Sequence, residues 1–181
     1  MQDALIIGNN LAETAYHEAG HILVAAVLGL DLRPKGITIW EAAQDVMDGL
    51  ARYWESETDW EKNLQSIRAG GLAQWRQFPQ AYIGGQKPDS ENFNKIVAEH
   101  FTGALPSDMW QSEGKKAEAL LQLHWATVIE IAEALIAAEW LPVPENEHSL
   151  AKRKKQLDGN QLVDILARHD IPARVRQPVS V

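Results

Sequence analysis

Two histidines four positions apart, with a glutamate directly after the first, are the residues of this chain best placed to do chemistry: His17, Glu18, Ala19, Gly20, His21. On a helix, positions i and i+4 lie one turn apart on one face, so both imidazoles can reach a single metal ion. Zinc takes neutral imidazole nitrogens at about 2.0–2.1 Å, and a catalytic site supplies three protein ligands and leaves a fourth position for water. Glu18 adjoins the first ligand and is set to accept a proton from the water that such an ion activates.

That chemistry needs a helix under it, and the flanking residues supply one. The run Leu11–Leu28 lacks proline, Asn10 with Glu13 three residues on forms a capping box, and Gly29 can end the helix. After His21 the helix is apolar nearly all round, so its second half belongs in a core. Ile37–Trp40 reads as a short strand with Ala51–Glu55 as its antiparallel partner, a small two-stranded β element near the site, and Glu41–Asp48 between them reads as a loop or two turns of helix.

Further elements follow by helical periodicity. Trp60, Leu64, Ile67, Leu72 and Trp75 mark a helix over Asp59–Gln77, in which the Gly70–Gly71 pair costs roughly 2 kcal/mol against alanine and signals close approach of another backbone. Phe78–Pro88 is a loop, and a helix from Pro88 or Asp89 to His100 turns Phe93, Ile96 and Val97 inward. A long helix is expected from Pro106 to about Leu141, with its core stripe at Leu121, Trp125, Val128, Ile131, Ala132 and Leu135, stopped by Pro142 and Pro144. Lys152–Lys155 reads as a solvated helix face, Asp158 caps a last helix over Asn160–His169, and a mobile tail follows, as does a loose lead-in at Met1–Asn9. His100, His124, His148 and His169 are scattered and read as structural or solvated.

Composition narrows the options. The 181 residues suit one mainly α domain, and the absence of cysteine excludes disulfides, thiolate metal sites and a cysteine nucleophile. Any metal must be held by histidine and carboxylate. Net charge −8 with a pI near 5.2 argues against nucleic acid as a partner. The amino terminus lacks the positive n-region of a signal peptide, no G-x-x-x-x-G-K-[ST] loop occurs, and the apolar run Ile22–Leu30 falls short of the ~20 residues that a membrane span needs. The expected setting is cytoplasmic, with any membrane association made through a partner.

Two histidines require a third protein ligand. A metzincin would place glycine and histidine where this chain has Val24 and Val27, which excludes that class. A thermolysin-like arrangement would draw on Glu41, with Asp45 behind it. More of the chain, about residues 10 to 168, resembles the peptidase domain of FtsH, the membrane-anchored AAA protease. Tyr16 before H-E-A-G-H, Leu28–Gly29, the strand Ile37–Trp40, then Gly70, Gly71, Gly85 and Asp89 look like that family's features in order and spacing.

The resemblance implies a helical FtsH-type peptidase fold and a zinc metalloendopeptidase, with His17, His21 and Asp89 as ligands and Glu18 as base. It also implies a hexamer working beneath an ATPase ring that delivers unfolded or extended protein substrates. This sequence departs from the family where Gln74 stands for a carboxylate after the glycine pair and where Ser90 follows Asp89, and the ATPase and membrane parts have no counterpart in these residues. Glu91, Glu41 and Asn92 therefore stay open as third ligands. Apolar alternation makes Ile37, Thr38, Ile39 and Trp40 the expected strand for an extended substrate. The alternative function is a catalytically weak or metal-free relative serving as a binding or assembly module of an ATP-dependent protease.

Overall fold

Asn10 does what its position before a helical run suggests. Its side chain accepts from the Glu13 N–H while the Glu13 carboxylate accepts from the Asn10 N–H, closing a capping box at the start of α1, Leu11–Val27. Gly29, at φ +77°, ends the helix in the left-handed conformation that glycine adopts without strain. The computed structural model describes residues 10–43, 46–80, 87–144 and 151–178. The expected lead-in at 1–9, Asp45, Gly85 and His148 lie outside them.

Every residue of α1 from Thr14 to Ala26 is buried, so burial begins before the site and continues past it. The helix is the centre of the molecule. Helix α2, Trp60–Gln77, crosses it so closely that a β-carbon on Gly20 would fall 2.6 Å from the Ala69 carbonyl oxygen and 2.7 Å from Ala73 Cβ. The close backbone approach expected at Gly70–Gly71 thus belongs to Gly20, and Gly70 has another use described below.

The chain is mainly helical with a four-stranded antiparallel sheet, rather than the expected two strands. β1 (Leu32–Ala43) and β2 (Val46–Tyr53) form a long hairpin, and β3 (Leu141–Pro142) and β4 (Arg153–Leu157) complete the order β2-β1-β4-β3. Glu41–Ala43 and Val46–Asp48 are therefore strand. Lys152–Lys155, expected on a helix face, enters β4, where Lys154 and Lys155 are buried. Lys155 Nζ donates to the Ile136 carbonyl at 2.7 Å and to that of Ala138, and it lies over the Trp140 ring, so its charge meets the end of a helix instead of water.

The expected single helix over 106–141 is two: α4, Pro106–Leu123, and α5, Trp125–Ala137, bent by 81° at His124. The bend lays α5 on α1, where Trp125 meets Tyr16 with ring centroids 6.1 Å apart, and among the described residues no single helix is long and apolar enough to cross a membrane. Leu121, Val128, Ile131, Ala132 and Leu135 are buried as expected. They join α1, β1 and α6 (Gly159–Arg168, capped by Asp158) in the main core. A smaller core of Leu64, Ile67, Phe93, Ile96 and Val97 ties α3, Lys87–His100, to α2. Residues 171–178, expected to be mobile, are docked: Leu32 N–H donates to Arg174 O and Arg176 N–H to Leu32 O.

Candidate metal centre

Positions 66, 70 and 74 of α2 repeat at a spacing of four and so share one helix face, the face turned to the histidines of α1. Each does one thing there. The Ser66 carbonyl accepts a hydrogen bond from His21 Nδ1 at 2.7 Å, and Gln74 Oε1 accepts one from His17 Nδ1 at 3.1 Å. Gly70 leaves room for the rings, since a β-carbon there would sit 2.3 Å from His21 Nε2 and 2.8 Å from His17 Nε2.

These contacts fix the tautomers. A carbonyl oxygen can only accept, so both Nδ1 atoms carry the hydrogen and both Nε2 atoms present lone pairs. The two Nε2 atoms lie 3.0 Å apart. Asp89, in the first turn of α3 where the helix dipole favours an anion, brings Oδ2 to 3.0 Å from His17 Nε2 and 3.4 Å from His21 Nε2. Three electron-rich atoms this close repel unless a cation lies among them.

That trio could hold a metal ion: the three ligand atoms all fall within 4.8 Å of one another, and the two histidines are buried with Asp89 half-buried. A tetrahedral ion at about 2.0–2.2 Å from nitrogen and oxygen ligands sets them roughly 3.3–3.6 Å apart. The observed separations need to open by only a few tenths of an ångström.

Without a metal, a proton takes the position. Burial alone disfavours a charged His21 ring, but the charge and hydrogen bond of Asp89, the charge of Glu18 and the Ser66 carbonyl outweigh it and push the pKa up to about 9. Burial likewise works against an ionised Asp89, and the two histidines overcome it and hold its carboxyl well below the usual range.

Glu18 faces the same cleft and is buried. Burial raises its pKa, and the His17 and His21 rings and the Ala51 N–H offset only part of that rise. The cleft, about 380 Å³, is bounded by α1, by the edge strand β2 and by the start of α3 at Pro88, Asp89 and Asn92. Tyr53 lines it. Burial and the charges of Asp89, Glu55 and Glu18 raise its pKa against a hydrogen bond with the Ser66 side chain, so the phenol stays protonated.

The other expected site residues are elsewhere. Glu41 sits on β1 in a two-point ion pair with Arg153, at 2.6 and 2.7 Å. Glu91 is exposed, 3.7 Å from Lys87, while Asn92 lines the cleft. His100 stacks on Trp60 at 3.7 Å, and His169 pairs with Glu130 at 2.6 Å. Ile37–Trp40 is corrected most plainly. This stretch is buried in the sheet interior, paired with β2 on one side and β4 on the other, and has no free edge to offer a peptide. The cleft is lined by β2 instead.

The sequence gives no role to the Ser66 carbonyl, Gly49 or Tyr53, and Gln74 figures there only as a departure from the family's carboxylate. The four-residue repeat Ser66, Gly70, Gln74 was the available signal for Ser66 and Gln74, because small and polar residues on one face of a helix that is otherwise core-facing mark a contact with something polar. No protein family model and no curated protein matches this sequence.

Proposed function

We propose that the protein is a zinc-dependent metalloendopeptidase of the kind its resemblance to the FtsH peptidase domain implies, with His17, His21 and Asp89 as ligands and Glu18 as general base. The observation that carries the reading is the convergence of two Nε2 lone pairs and one carboxylate oxygen on a single point, with a second carboxylate, Glu18, on the same cleft outside that trio and held by the Ala51 backbone N–H. Two imidazole nitrogens and one carboxylate oxygen form a donor set typical of catalytic zinc, which supplies Lewis acidity toward a carbonyl and acidifies water.

The chain's own residues do the rest. Glu18, held within the cleft, takes the proton from the attacking water and passes it to the leaving amine. The outer edge of β2, unlike β1, has no neighbouring strand among the described residues, and an extended peptide can add there by backbone hydrogen bonds. Such a site suits unfolded or extended protein substrates. By the same resemblance it would work with an AAA ATPase subunit and as a hexamer.

The test is Glu18→Gln in the full chain purified without chelator. About one zinc per chain should remain, while cleavage of an unfolded protein falls by about 10²–10⁴. Cleavage at the wild-type rate in that variant contradicts the mechanism. A wild-type chain that stays metal-free in excess zinc favours instead a binding or assembly module whose trio is satisfied by a proton.

A further inference from the structure

Where β2 crosses α1, the strand backbone lies directly on the Glu18 side chain. A β-carbon on Gly49 would fall 2.5 Å from Glu18 Oε1, 2.8 Å from Glu18 Cγ and 2.8 Å from Thr14 Cγ2. Gly49 is not among the residues with positive φ, so the reason for glycine here is space and not backbone conformation. Its strand neighbours pair normally, with Gly49 opposite Ile39. The atom nearest to the missing side chain is the far end of the glutamate.

We infer that Gly49 is a positioning residue: by bringing bare backbone against Glu18 it fixes where the base carboxylate can lie, as Gly70 on the opposite wall fixes where the ligand rings lie. The inference rests on the metallopeptidase reading. It predicts that the two glycines separate two properties. An added methyl at Gly49 meets Glu18 Oε1, Glu18 Cγ and Thr14 Cγ2, so its relief displaces the whole Glu18 side chain, and neither ligand ring is among these contacts. An added methyl at Gly70 meets His21 Nε2 and His17 Nε2 and disturbs the ligands themselves.

Zinc affinity by chelator competition, kcat and KM on a peptide, and thermal denaturation, all on the full chain, test this. Gly49→Ala should keep zinc affinity within about threefold of wild type and lose kcat by about 100-fold, the size of a displaced general base. Gly70→Ala should lose zinc affinity by about 100-fold. A Gly49→Ala chain that turns over at the wild-type rate, or that loses zinc as Gly70→Ala does, overturns the inference. If Gly49→Ala fails to fold, Glu18→Asp is added, because the shorter acid retracts from the space the methyl fills. The pair should then be more stable than Gly49→Ala alone, and the absence of that coupling also overturns the inference. A wild-type chain that binds zinc yet cleaves nothing sinks the peptidase reading, while the stability coupling between positions 18 and 49 is still read on its own.

Discussion

His17 and His21 face the centre with lone pairs because their other nitrogens are already occupied, one by a backbone carbonyl and one by a neutral amide. The amide is the more informative partner. Gln74 is 1% exposed, and its Oε1 keeps the proton of His17 on Nδ1 without adding a charge. Replacing it with leucine keeps the volume and removes the acceptor, and zinc affinity measured by chelator competition should fall about 10–100-fold. An unchanged affinity would mean that His17 needs no such support. At this scale H-E-x-x-H was legible because two rings and an acid at fixed helical spacing do not depend on the rest of the fold. Asp89 was reachable only by likeness to a family, since nothing in its own neighbourhood distinguishes it from Glu91. Only the docking of α3 on α2 decides which acid turns inward.

Between elements, the site depends on how closely α1 and α2 approach. Gly20 is the middle of the motif and also the point of contact, against Ala69 and Ala73. Gly20→Ala should therefore destabilise the protein by about 1–3 kcal/mol through overpacking against a backbone that cannot give way. The same change should weaken zinc binding, because α2 carries the partners of both rings. Denaturant unfolding checks the first effect, and a neutral result would show that the helices slide apart freely. The helices were legible from periodicity and caps, whereas the sheet was not. β4 spells Arg153, Lys154, Lys155, Gln156, Leu157, a polar run whose lysines are buried because one reaches the end of α5 and the ring of Trp140. The bend at His124 has neither proline nor glycine to announce it. It is a tertiary effect, made where α5 turns onto Tyr16.

For the molecule as a whole, the carboxy-terminal segment is tied to the start of β1 and to the residue that follows β2. The segment 171–178 straps onto Leu32, Arg174 pairs with Asp31 at 2.5 Å, and Trp54 lies between the guanidinium groups of Arg33 and Arg176. Stability then depends on what occupies the trio. In the metal-free protein the His21 pKa of about 9 exceeds its ordinary 6.5. The charged ring therefore stabilises the fold fully below about pH 6.5, and that contribution, on the order of 3 kcal/mol, is lost as pH rises through 9. Asp89 has the opposite sign, since its depressed pKa gives stability above the ordinary carboxylate range that is lost on acidification. Thermal denaturation in chelator should show a falling Tm between about pH 6.5 and 9, and the zinc-loaded protein should not share that decline, because zinc uptake at neutral pH expels about one proton. A metal-free Tm that does not change across that range would contradict the shared proton.

One measurement bears on the central claim most directly: a crystal structure of the chain loaded with zinc, with anomalous scattering recorded at the zinc edge. The account predicts one peak within about 2.0–2.2 Å of His17 Nε2, His21 Nε2 and an Asp89 carboxylate oxygen, with Glu18 near but not bound. No peak at the trio, or a peak there with Asp89 turned away and another acid in its place, would contradict it.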